Sequence, residues 1–168
     1  MITELANYFG RIEDLRSQIS GLIIELPVQG LNWRPIIGKD AHVTNSLAVL
    51  TCHIAGAEHF WIAEVVGGWP GTRDRNAEFA TLATNAAEIL HYLEMTTQET
   101  REVFSTLGET DLNGTRQAEG RTIPVRWCIL HVIDHTALHL GHMQITYQLW
   151  SGGKSIESPL WFERLPSK

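Results

Sequence analysis

Long apolar runs are missing from this chain: no stretch of about 18 uninterrupted apolar residues could span a bilayer, so a transmembrane helix is not expected. Cysteine is scarce as well. The two present, Cys52 and Cys128, fall inside expected helices and suit free thiols in a reducing compartment, though the pair also permits a single cystine. Positive charge is in the minority, with 13 Lys and Arg against 19 Asp and Glu and a formal charge of −6. Without a basic stripe, neither nucleic acid nor an anionic membrane is an expected partner. The opening residues, Met1-Ile-Thr-Glu4, carry an acid where a signal peptide would carry positive charge, so a soluble, cytoplasmic protein is expected. Internal repeats, low-complexity tracts, a phosphate-cradling glycine pattern and a His-Glu-x-x-His motif are all absent.

What the chain does have is helical periodicity. Ile2, Leu5, Phe9, Ile12, Leu15, Ile19, Ile23 and Leu26 recur at spacings of three and four, which predicts a first helix stopped by Pro27. A breaker-rich connection containing Trp33 follows. A second helix is expected from around Asp40 to Thr44 as far as Val66, and a third from roughly Ala77 to Leu107. Gly108 to Gly120 is polar and turn-rich, with room for a short hairpin. The fourth helix opens at Thr122-Ile-Pro124 and runs to about Trp150, followed by an apolar tail. One domain covering 1–168 is expected, all-α, as an up-down four-helix bundle or a variant with longer connections.

Four of the eight histidines lie on the last helix, at His131, His135, His139 and His142. Each residue of an α-helix turns about 100°, so these four rings share an arc of about 80°. Such a stripe is either a metal site or an unusually polar core. His131 and His142 are separated by about 16 Å of helix rise, too far to share an ion. His135 and His139, one turn apart, can. His53, in the middle of the second helix among Val49, Leu50, Ala57 and Phe60, supplies a third nitrogen from a facing helix. Three nitrogen ligands leave coordination positions for water or substrate. His131 and His142 then become pocket groups. A histidine hydrogen-bonded to a core neighbour is the bland alternative for each, but five on two facing helices favour a site. His59 reads as a rim residue, His91 as exposed, and His42 is unassigned. Glu58 and Glu64 are expected to be solvated acids of a helix face, Arg73 solvated surface, and Cys128 a core thiol.

Leu31-Asn-Trp-Arg-Pro35, then Ser46-Leu-Ala-Val-Leu-Thr-Cys-His53-Ile-Ala-Gly-Ala-Glu58, and finally Leu130-His-Val-Ile-Asp-His135-Thr-Ala-Leu-His139-Leu-Gly141 resemble the DinB/YfiT-like superfamily of metalloenzymes. The resemblance covers nearly the whole chain. It implies an up-down-down-up four-helix bundle, commonly a homodimer, with a divalent metal, zinc or nickel, on His53, His135 and His139. It also implies a small-molecule substrate and a low-molecular-weight thiol, because characterised relatives are thiol-dependent S-transferases and isomerases. A metal-dependent hydrolase and a non-catalytic, stress-associated binding protein are the alternatives. Relatives often read His-Arg-Gly-Gln where this chain has His139-Leu140-Gly141-His142.

Overall fold

The computed structural model describes residues 1–38, 44–156, 159–160 and 162–165. It is mostly helical. Helix α1, Thr3–Ile23, turns Leu5, Phe9, Ile12, Leu15, Ile19 and Leu22 inward and ends ahead of Pro27, which becomes the N-cap of the short α2, Val28–Asn32. Helix α3, Leu47–Glu58, starts where the Ser46 hydroxyl accepts a hydrogen bond from the Val49 N–H. Nearly all of its residues are buried, as its continuous apolar composition requires. The expected start of this helix, Asp40 to Thr44, and His42 fall largely or wholly outside the described residues.

At Glu58 the helix does not stop but widens into a π-helical segment, His59–Val66, closed by the Gly67 N–H donating to the Ile62 carbonyl. Wide turns of this kind are uncommon and are frequently found at functional sites. Then come α4, Arg75–Phe79, capped by Asp74, and α5, Ala86–Thr106, capped by Asn85.

The single helix expected over Ala77 to Leu107 is therefore two helices. Asn85 takes the Glu88 N–H at the start of α5, and Asn32 grips Ala83 in both directions, Nδ2 to its carbonyl and Oδ1 from its N–H. Those bonds hold 80–85 out of the helix, and Leu82 is left 73% exposed. After the one-turn α6, Glu109–Leu112, strands β1, Thr115–Ala118, and β2, Arg121–Pro124, form an antiparallel hairpin with Gln117 opposite Thr122. Its central residues Glu119 and Gly120 have φ of 50° and 71°, the left-handed pair that matches strand twist in a two-residue turn. Helix α7, Val125–Trp150, completes the chain's long elements.

Helix α1 packs on α5 and α7, and α3 packs on α5 and α7, so the four long helical bodies enclose a common interior. That interior has two apolar halves. Leu5, Phe9, Ile12, Ile62 and Phe104 belong to one, while Leu15, Ile19, Leu47, Ile54 and Met143 belong to the other. Between them along α1 and α3 lie Arg16, 5% exposed, and Glu58, fully buried, joined as an ion pair. Thr100 of α5 donates to the same carboxylate. Glu58 is thus no solvated acid. It sits one helical turn after Ile54, on the buried face, and Arg16 pairs with it because an isolated charge there would be prohibitive. Burial lowers the Arg16 pKa to about 10.

Candidate metal centre

His53 projects from the middle of α3, and His135 and His139 from successive turns of α7, where the helix repeat sets them one above the other. The packing of α3 against α7 brings them together. One ring nitrogen from each lies within 4.8 Å of the others, a separation that one ion can bridge. His53 Nε2 stands 3.1 Å from His135 Nε2, and the rings of His135 and His139 are 4.4 Å apart between centroids.

The tautomer of His53 is fixed from behind. Its Nδ1–H donates to Glu78 Oε2 at 2.8 Å, so its Nε2 carries a lone pair toward His135. Glu78, on α4, is held in turn by the Arg73 guanidinium, Nε to Oε1 at 2.6 Å and Nη2 to Oε2 at 2.9 Å. Burial pushes the Glu78 carboxyl up, but the bonds from His53 and Arg73 outweigh it and the net shift is downward, so the group stays ionised. Gly56 makes the approach possible, since a Cβ there would overlap the Glu78 carboxylate. Arg73, expected on the solvated surface, is instead half-buried and committed to this carboxylate.

Around the triad, His131 stacks on Trp127 with centroids 4.8 Å apart and planes at 4°, and Trp61 meets both edge-on. His131 lies 5.7 Å from His135 between ring centroids, outside the converging group. His142 places Nδ1 3.4 Å from Nδ1 of His139 and is otherwise exposed. Phe79 closes the side of His53 at 4.9 Å. His59 is no bare rim residue: Nδ1 meets Glu99 at 2.7 Å, and Nε2 meets Thr72 at 2.9 Å and Glu64 at 3.2 Å. Glu64, expected to be solvated, accepts from the N–H groups of Thr72 and Arg73 and so ties down the loop that delivers Arg73. His91 is exposed, and both cysteines are free and buried. Burial raises the Cys128 thiol to about 11, which makes it a core group with little thiolate.

The donor set fits a divalent cation. Burial, then the neighbouring rings of His139, His53 and His131, lower the pKa of His135 to about 3. Burial and the rings of His53 and His142 lower that of His139 to about 4. Both rings are neutral at pH 7 and have lone pairs to give. Nδ1 of His135 is buried without a partner, whereas its Nε2 lies 3.1 Å from the His53 Nε2 lone pair, so in the metal-free chain the one proton of the neutral His135 ring sits on Nε2, between the two nitrogens. A cation placed between them would send that proton to Nδ1 and take both Nε2 lone pairs.

These shifts carry a pH consequence. In the unfolded chain the rings titrate near 6.5, in the folded chain near 3 and 4, so acid favours the unfolded form. Their contribution to stability is complete above pH 6.5 and is lost as pH falls toward 4 and then 3. The expected outcome for metal-free protein is a urea midpoint that declines below about pH 6.5, with a shallower decline in His135→Phe. Parallel profiles for the two proteins would contradict it.

A family model described as the DinB superfamily matches residues 11–143. This chain belongs to the DinB superfamily. The matched span runs from within α1 into α7 and takes in His53, Glu78, His135 and His139. Two solved structures share the fold of this DinB-superfamily chain. A conserved protein from Enterococcus faecalis aligns with a TM-score of 0.72 over 90% of this chain and 99% of its own, at 13% identity. A DinB-like protein from Bacillus cereus ATCC 10987 aligns with a TM-score of 0.68 over 92% and 95%, at 18% identity. No curated protein matches. Among the described residues, no helix is long and apolar enough to cross a membrane.

Proposed function

We propose that this DinB-superfamily protein is a divalent-metal-dependent enzyme, with His53, His135 and His139 as ligands, that joins a low-molecular-weight thiol to an electrophilic small molecule. The observation that carries the reading is the convergence of three imidazole nitrogens within 4.8 Å, two of them on rings held neutral at pH 7. Zinc or nickel suits such a nitrogen set. Bound there, the ion would supply a Lewis acid able to lower the pKa of a coordinated thiol or water toward neutrality.

The chain's own groups define the rest of the chemistry. Glu78 and Arg73 orient His53, while Trp61 and Trp127 give an apolar flank around His131. His131, whose pKa burial lowers, stands next to the triad where it can take up the thiol proton. In S-transfer the S–H bond breaks, its proton passes to His131, a C–S bond forms at the electrophilic carbon and a leaving group departs with the bonding pair. In isomerisation the thiol instead adds across a C=C bond with no leaving group, the adduct rotates, and elimination of the same thiol restores the double bond.

The architecture is read as an up-down-down-up four-helix bundle formed by α1, α3 with its π-helical extension, α5 and α7. A homodimer is proposed on the exposed stripe of Trp127, Leu130, Leu138, Ile145 and Leu149 along α7, and a cytoplasmic setting on the free thiols.

The test is elemental analysis of protein purified without a histidine tag, followed by a screen of thiols against electrophiles on the loaded protein. About one equivalent of a transition metal and a thiol-dependent turnover are expected. Less than about a tenth of an equivalent after reconstitution overturns the proposal. Turnover that gains nothing from added thiol replaces it with a hydrolase. The supporting carboxylate has its own prediction: Glu78→Ala leaves both His53 Nδ1 and Arg73 unpaired and should weaken metal binding about 10- to 100-fold in a chelator competition, with unchanged affinity as the contrary result.

A further inference from the structure

A cavity of about 480 Å³ between α3, α4 and α5 is lined by Glu78 and His59 but by none of His53, His135 and His139. Its size is that of an ordinary small-molecule site. Ala55, Ala77 and Ile89 give it apolar walls, and its lip carries Leu82, Tyr92 and Met95, exposed by 73%, 50% and 48%. Large apolar side chains gathered at the mouth of a concave space are uncommon on a surface that has nothing to bind.

The charge of the lining is one-sided. Four carboxylates face or border the cavity, those of Asp74, Glu78, Glu88 and Glu99, against one permanent cation among the described lining residues, Arg73. That guanidinium is turned onto Glu78 with two of its nitrogens, so it is a poor anchor for an anion. Glu99 is bound to His59 through Oε2 only, at 2.7 Å. The Glu99 side chain is 23% exposed, and its second oxygen retains acceptor capacity for an incoming donor. A concave wall of net negative charge on a low-dielectric scaffold concentrates cations and repels anions. Tyr92 at the lip adds an aromatic face of the kind that attracts ammonium groups.

We propose that this cavity is a binding site for a small organic cation, a primary amine joined to an apolar group, with the ammonium at Glu99 and the apolar part between Ile89, Tyr92 and Met95. The site is separate from the metal ligands, and the proposal stands whether or not a metal is bound.

Three probes of equal shape and different charge test it: 2-phenylethylamine, 2-phenylethanol and phenylacetate. Each is titrated into the ¹⁵N-labelled full chain, with and without zinc, and followed by amide shifts. The amine is expected to bind at least about tenfold more tightly than the alcohol, and the acid not to bind. Perturbed amides should fall in 72–81 and 88–99. Glu99→Gln should weaken the amine about tenfold and leave the alcohol unchanged. Tyr92→Ala should weaken both. Equal binding of amine and alcohol overturns the choice of ligand. Shifts centred on His135, or no saturable shift with any probe, overturn the site. Loss of zinc binding with normal amine binding would defeat only the function proposed for the histidines.

Discussion

Alanine at His135 is expected to leave the purified chain with less than about a tenth of an equivalent of metal, where the unmodified protein carries about one. His53→Ala and His139→Ala should behave alike. Each removes one of the three donor nitrogens that lie within 4.8 Å of one another, and among the described residues no fourth histidine stands within that group to replace it. His131 is occupied by its stack on Trp127, and His142 lies beyond His139, so His131→Ala and His142→Ala should retain the metal. Circular dichroism separates this from unfolding, because none of the three triad rings terminates a helix. Metal content unchanged in a folded His135→Ala protein would refute the triad.

The second large effect is on stability. Glu58→Ala should lower the unfolding free energy by about 3–5 kcal/mol, because it leaves the Arg16 guanidinium buried without its counter-charge. Nη1 of Arg16 already has no hydrogen-bond partner, so the site has no spare acceptor to take over. The double change Arg16→Met with Glu58→Leu removes both charges and should recover most of the loss, since burying two ions costs nearly as much as their attraction returns. Urea denaturation of the three proteins reads both effects. A cost below about 1 kcal/mol for Glu58→Ala would show that water reaches the pair.

Much of this was legible in the sequence for local reasons. The stripe of α1 and the spacing of His135 and His139 follow from the helix repeat alone. Gly56 was a readable signal too: a glycine inside an apolar helix, one turn from His53, marks a close approach by something. Arg16 and Glu58 each lie on the buried face of their helices, a sign that they pair, but the sequence does not say with whom. The break at 80–85 was missed because its cause is remote, Asn32 gripping Ala83 across 51 positions.

The sequence by itself determined the helical class, the family, and which histidines share a helical face, because these depend on residue types at fixed short spacings. Only the tertiary structure decided that α3 and α7 meet at His53, that Glu58 and Arg73 leave the solvent, and that Glu78 of a five-residue helix sets the tautomer of His53. The physical reason is range: helix periodicity acts over one or two turns, whereas a buried charge is satisfied only by whatever packing brings to it from elsewhere in the chain.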